Sequence, residues 1–218
     1  LLDHPQYAHG LFRQLWQELG GTVSGGMREG KVPVEARLLA SSESPSLSEV
    51  MRDINKFSNN VMARQLLLTL GAESAKRPAR PEDGERAVRQ WLTQKGLSMP
   101  ELVLENGSGL SRRERISGGS LARLLQAAYR SAVMPEFIAS MPLVAVDGTM
   151  RKRLNDRPVA GNAHIKGGSL EGVSTMAGYV LDVKGKQQVV VFLVNHANAG
   201  AARAAHDALL QWVYAGGS

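Results

Sequence analysis

Residues 163–194 read AHIKGGSLEGVSTMAGYVLDVKGKQQVVVFLV, and this stretch decides the fold class. Segments 163–170, 176–183 and 188–194 are expected strands, the last two carrying Val, Tyr and Phe, which suit a pleated, half-buried surface. The last two are joined by Lys184-Gly185-Lys186, a three-residue loop with glycine inside it, the signature of a β-hairpin. A helix expected over 199–214 follows, with Leu209, Trp212 and Val213 inward. An antiparallel meander with a covering helix points to a layered α/β domain.

Working outward, helices are expected at 7–19, from Ser46 onward, at 60–70, at 84–95 and at 117–131. Leu11, Leu15 and Leu19 form one stripe of the first, and Gly20-Gly21 stops it. Ser46 and Glu49 read as a capping box ahead of Leu47, Val50, Met51 and Ile54. Gly71 is expected to stop the 60–70 helix, and Gly96 the 84–95 helix. Segments 32–40 and 102–104 are further expected strands. Residues 73–86, with Lys76, Arg77, Pro78, Arg80 and Pro81, read as an exposed linker within one domain.

The chain has 218 residues, 43% hydrophobic and 21% charged, the make-up of a globular protein with a core of its own. Disorder, collagen and coiled coil are excluded as overall descriptions. With no cysteine, disulfides and thiolate metal sites are excluded. No apolar run approaches the roughly 18–20 residues of a membrane span, so no transmembrane segment is expected. The balance of 26 basic against 20 acidic residues gives 26 − 20 = +6. Basic clusters stand at Arg112, Arg113 and Arg115 and at Arg151, Lys152, Arg153 and Arg157. Without interleaved aromatics or a recognisable module they read as solvated faces, and no nucleic-acid partner is expected. Gly25-x4-Gly30-Lys31 approaches a phosphate loop, but Val32 replaces the hydroxyl that would bind Mg²⁺. The five histidines show no metal-ligand spacing, and no metal or other cofactor is expected.

Two motifs carry chemistry. Ser58-x-Asn60 lies between two expected helices. Lys166, on an expected strand, is followed by Gly167, Gly168 and Ser169. Each has a plainer reading: Ser58 as a helix N-cap, Lys166 as an edge-strand lysine that blocks aggregation. Two further stretches stand in order with them: Asn106-Gly107-Ser108-Gly109-Leu110-Ser111-Arg112, and Val146-Asp147-Gly148-Thr149-Met150.

Taken together, these residues resemble the low-molecular-mass D-alanyl-D-alanine carboxypeptidase/endopeptidase family, the class C penicillin-binding proteins (peptidase family S13), and specifically the C-terminal portion. Such enzymes combine Ser-x-x-Lys, Ser-x-Asn and Lys-Thr-Gly. The resemblance implies a β-lactamase/transpeptidase-like fold, an antiparallel sheet flanked by helices, incomplete here because an N-terminal portion is absent. It implies residues 1–218 as the C-terminal part of the penicillin-binding domain. It further implies a periplasmic hydrolase that cleaves peptidoglycan stem peptides through an acyl-enzyme, with β-lactams as ligands of the full-length protein. Ser58 would relay a proton, Asn60 would hold the substrate backbone, and Lys166 would attract the substrate carboxylate. Gly167, Gly168 and Ser169 would bind substrate, the Ser169 N–H serving the oxyanion.

Two departures qualify the resemblance. Gly167 stands where the family has Thr. No Ser-x-x-Lys occurs in the 218 residues, so the chain alone is expected neither to hydrolyse D-Ala–D-Ala nor to be acylated by penicillin. The alternative is a non-catalytic module of the same fold that binds cell-wall peptide or glycan. An uncovered sheet edge would also suit pairing with a second copy, a homo-oligomer.

Overall fold

A computed structural model describes residues 3–75 and 77–217. The chain divides into two compact units, residues 1–44 and 45–218.

The first unit holds one helix, α1 (His4–Glu18). Asp3 caps it, its carboxylate accepting from the Gln6 N–H at 2.8 Å. None of its residues is buried; the expected stripe of Leu11, Leu15 and Leu19 lies open. The strand expected at 32–40 does not form, and Val32 and Val34 are exposed. A β-rich composition makes a strand only when another strand accepts its hydrogen bonds, and Pro33 removes one donor.

In the second unit, α2 (Leu47–Phe57) begins at the predicted signal: the Glu49 carboxylate accepts from the Ser46 N–H at 3.0 Å and from its hydroxyl at 2.8 Å. α3 (Asn60–Ser74) runs straight through Gly71. This glycine is a packing residue instead of a stop. A Cβ there would lie 2.8 Å from the Gly84 backbone nitrogen, and one at Gly84 would lie 2.4 Å from Leu67 O. The two glycines let α3 and α4 (Pro81–Gln94) pack backbone to backbone. The linker read at 73–86 is therefore shorter than expected, with helix on both sides; Lys76 within it lies outside the described residues. Leu92, Met99 and Leu102 form a core cluster with Val88, Ile116 and Leu124. The expected strand 102–104 reduces to one antiparallel bridge, Val103 with Arg115.

α5 (Gly118–Tyr129) is capped by the Ser117 hydroxyl, and α6 (Met134–Ser140), which the periodicity does not reveal, follows. A short 3-10 turn, Gly148–Met150, precedes the sheet. The sheet is β1 (Ala163–Leu170), β2 (Val173–Leu181) and β3 (Gln187–Asn195), antiparallel in the order β1-β2-β3. The predicted meander is thus present, with β2 beginning and ending a little earlier than its expected range. Asp182 shapes the hairpin loop, accepting the N–H groups of Lys184 at 2.9 Å and Lys186 at 2.8 Å.

Alternation along the strands gives the sheet two working faces. Ala163, Ile165, Met176, Val180 and Val190 cluster with Leu210 and Val213 of α7 (Arg203–Tyr214). Trp212, expected inward, is 54% exposed; Leu210 takes the core position instead. On the opposite face Tyr179 packs with Leu125, Met141, Phe137 and Ile138, donating its hydroxyl to Leu125 O at 2.6 Å. Lys166 lies on this second face, since register pairs it with Ala177 beside Tyr179. The result is a sheet between helical layers, with Lys166 turned toward the helical side that includes α5 and α6.

Candidate active site

Ser58 is not an N-cap. It terminates α2 in the left-handed conformation (φ 55°, ψ 47°). The Asn59 N–H donates to Ile54 O at 3.1 Å, the six-to-one closure of a Schellman-type ending. Asn59 is the residue that caps α3, its side chain accepting from the Met62 N–H at 3.1 Å. A tight αL break thus joins two helices, and its exposed residue is a serine. Asn60 is the first residue of α3 and is half-buried. Among the described residues its carboxamide makes no hydrogen bond.

Lys166 reaches this junction from β1. Its Nζ donates to Ser58 Oγ at 3.1 Å and to Gly167 O at 2.9 Å, closing a gap of 108 residues in sequence. Burial lowers the Lys166 pKa from its ordinary value, because desolvation disfavours the charged amine. With Oγ accepting from the lysine, the Ser58 hydroxyl proton is directed elsewhere, which is the geometry of a relay.

The strand beyond Lys166 is open. Ile165 N–H donates outward to Pro142 O at 2.8 Å, away from β2. Alternation puts the N–H groups of Gly167 and Ser169 on that same outer edge, past the stretch where residues 142–144 bond to β1. The Thr175 hydroxyl, facing Gly168 across the ladder, donates to Gly168 O at 3.2 Å. A Cβ at Gly168 would lie 2.8 Å from that hydroxyl, whereas at Gly167 the nearest atom would be Thr175 O at 3.8 Å. A side chain at Gly168 would therefore have to displace the Thr175 hydroxyl, whereas one at Gly167 begins in ordinary contact.

Three residues without an assigned role adjoin the site. Lys56, 8% exposed, donates to Asp147 Oδ2 at 2.6 Å. Burial pushes the Asp147 carboxyl up, but the Leu143 N–H and the Lys56 ammonium together hold it below the usual carboxylate value. His164, two residues before Lys166, is held below the ordinary histidine value by burial first and by the Lys56 charge second. No local pattern could have paired Lys56 with Asp147, which lie 91 positions apart. Lysine two residues before a helix break is ordinarily a surface residue.

Part of each basic cluster bonds to the protein's own acceptors. Arg112 donates to Glu171 O and Arg115 to Arg112 O, both at 2.7 Å. Arg153 forms a largely buried pair with Asp207 of α7. Among the described residues no group of His, Asp or Glu side chains could hold a metal ion. No helix among them is long and apolar enough to cross a membrane.

The D-Ala-D-Ala carboxypeptidase 3 (S13) family matches residues 2–215. A D-alanyl-D-alanine carboxypeptidase of Actinomadura sp. (strain R39) is 32% identical over 210 residues, covering 92% of this chain and 38% of that protein. The D-alanyl-D-alanine carboxypeptidase DacB of Haemophilus influenzae is 28% identical over 196 residues, covering 89% and 41%. The chain thus spans about two-fifths of these curated relatives. The crystal structure of penicillin binding protein 4 (dacB) from H. influenzae, complexed with a β-lactam, superposes with a TM-score of 0.82 at 24% identity, covering 97% of this chain and 52% of that one. The likeness extends to the whole fold described above.

Proposed function

The chain belongs to the D-Ala-D-Ala carboxypeptidase 3 (S13) family, and from that premise we propose that it is the C-terminal part of the penicillin-binding domain of a serine-type D-Ala–D-Ala carboxypeptidase/endopeptidase. Its substrates are peptidoglycan stem peptides, its compartment is the periplasm, and β-lactams bind the full-length protein. The observation that carries this reading is the hydrogen bond from Lys166 Nζ to Ser58 Oγ. It brings together the two motifs whose combination distinguishes this chemistry from a chance Ser-x-Asn.

In the acyl-enzyme reaction a serine outside these 218 residues attacks the carbonyl of the penultimate D-Ala, and the terminal D-Ala leaves as an amine. Ser58 passes a proton toward that amine. Lys166 holds the Ser58 oxygen and contributes positive charge beside the substrate carboxylate. The Asn60 carboxamide holds the peptide backbone. The Ser169 N–H donates to the oxyanion; removing such a donor costs about 10²–10³ in rate. Gly167 and Gly168 let the substrate lie against the strand.

A fluorescent penicillin tests this. The full-length protein should label covalently, Ser58→Ala and Lys166→Ala should label far more slowly, and the 218-residue chain should not label. Stoichiometric labelling of the 218-residue chain would place the nucleophile within it and overturn the assignment. The missing hydroxyl at Gly167 favours a second reading, a cell-wall peptide or glycan binder without turnover. A full-length protein that binds stem peptide but releases no D-Ala would establish it.

A further inference from the structure

Residues 140–150 touch both halves of the site. Toward α2, Ser140 Oγ accepts from Asn55 Nδ2 at 2.8 Å and Asp147 Oδ2 accepts from Lys56 Nζ at 2.6 Å. Toward β1, Pro142 O accepts from the Ile165 N–H at 2.8 Å and the Val144 N–H donates to Ala163 O at 2.9 Å. Asp147 Oδ1 also accepts from the Leu143 N–H at 2.8 Å, so one carboxylate ties the helix to the strap that runs along the strand. Lys56 is two residues before Ser58, and Ile165 is one before Lys166. At Gly148 (φ 54°) a Cβ would lie 2.6 Å from Lys56 O, so the last turn of α2 sits directly on this backbone.

We propose that Lys56 and Asp147 are positioning residues that hold Ser58 Oγ within reach of Lys166 Nζ. The proposal rests on the reading of Ser58 and Lys166 given above. Its physical ground is that a serine with positive φ does not hold that conformation unaided; the surroundings must over-determine it. The ion pair supplies that constraint. Lys56 is too buried to leave Asp147 without stranding its charge, so the end of α2 cannot drift while the pair is intact. Neither side chain needs to touch substrate.

The test uses the full-length protein that contains this chain, with lysines ¹³C-labelled at Cε and the Lys166 signal assigned by Lys166→Arg. Ser58→Ala moves that signal by removing its hydrogen-bond acceptor. Asp147→Asn should move it likewise, and adding Ser58→Ala to Asp147→Asn should move it little further. Lys56→Arg, which keeps the charge, should retain the parent signal. Acylation by a β-lactam should fall on the order of 10²-fold in Asp147→Asn, the effect of roughly 1 Å of misplacement, and remain near parent in Lys56→Arg. If Asp147→Asn does not fold, the double variant Lys56→Met/Asp147→Leu removes both charges without leaving either one alone and should show the same shift. A folded Asp147→Asn or double variant with an unmoved Lys166 signal overturns the proposal. Should Ser58→Ala acylate at the parent rate, the cell-wall assignment fails, while the Lys166 signal still decides the positioning role.

Discussion

Gly178 in β2 crosses β1 so closely that its replacement tests the whole sheet. A Cβ at this position would lie 2.0 Å from His164 O and 3.1 Å from Ile165 Cα. Real Cβ contacts stay above 3.0 Å, so Gly178→Ala must open the strands by at least 3.0 − 2.0 = 1.0 Å. Both colliding groups are backbone, so no side-chain rotation relieves them. Widening by ~1 Å breaks the ladder bonds on either side, and each buried backbone group left unpaired costs about 1–3 kcal/mol. Two such groups and the disturbed packing of Ile165 and Tyr179 give about 3–6 kcal/mol. That is a large share of the roughly 5–15 kcal/mol that holds a domain together. Urea unfolding followed by circular dichroism measures it. Two alanines calibrate the scale. Gly161→Ala (φ 73°, nothing within 4 Å) carries only the left-handed penalty of about 1–2 kcal/mol. Gly200→Ala, in open space without positive φ, should be neutral or slightly stabilising. If Gly178→Ala costs less than ~1 kcal/mol, or less than Gly161→Ala, the steric reasoning is wrong.

Three further outcomes are expected. Tyr179→Phe removes the second, buried hydrogen bond to Leu125 O, which keeps its partner within α5, and should lower stability by about 0.5–1.5 kcal/mol in the same unfolding assay; the phenol itself, pushed up to about 12 by burial, should not titrate below pH 10. His164 and His206 are both held below the ordinary histidine value, chiefly by burial. The unfolded chain therefore binds more protons between the folded and unfolded pKa values, so stability should fall as pH drops through about 6.5. A thermal melt series from pH 7.5 to 5 reads this, and His206→Phe, which keeps an aromatic ring against Phe192, should flatten it. A Cβ at position 167 meets only ordinary contact, and Gly167→Thr restores the hydroxyl that the resemblance expects directly after Lys166 in the chain. It should fold normally and speed β-lactam acylation of the full-length protein; slower acylation in a folded variant would show that the site needs glycine there.

The sequence reveals elements whose signal is local. Runs of β-favouring residues and a glycine loop define the meander, and the Ser46–Glu49 pair marks where α2 begins. It misleads where the outcome depends on a distant partner. Among the described residues the β-rich segment at 32–40 pairs with no strand. Gly71 looks like a stop but is a contact surface for Gly84. Trp212 satisfies helical spacing but loses the core position to Leu210. The site divides in the same way. Ser58 and Lys166 are readable because each sits in a short motif, and their 3.1 Å contact follows from the fold. Asp147 stands in the quoted stretch 146–150, but nothing local links it to Lys56, because a buried lysine becomes recognisable only when its carboxylate is seen beside it.

The backbone at position 58 favours glycine or asparagine, and the chain carries serine there. Ser58→Gly should relax the junction and raise the melting temperature while deleting the hydroxyl. Breeding this protein for heat resistance alone would therefore drive it toward chemical silence at that position, and only a demand for turnover would keep the less comfortable residue in place.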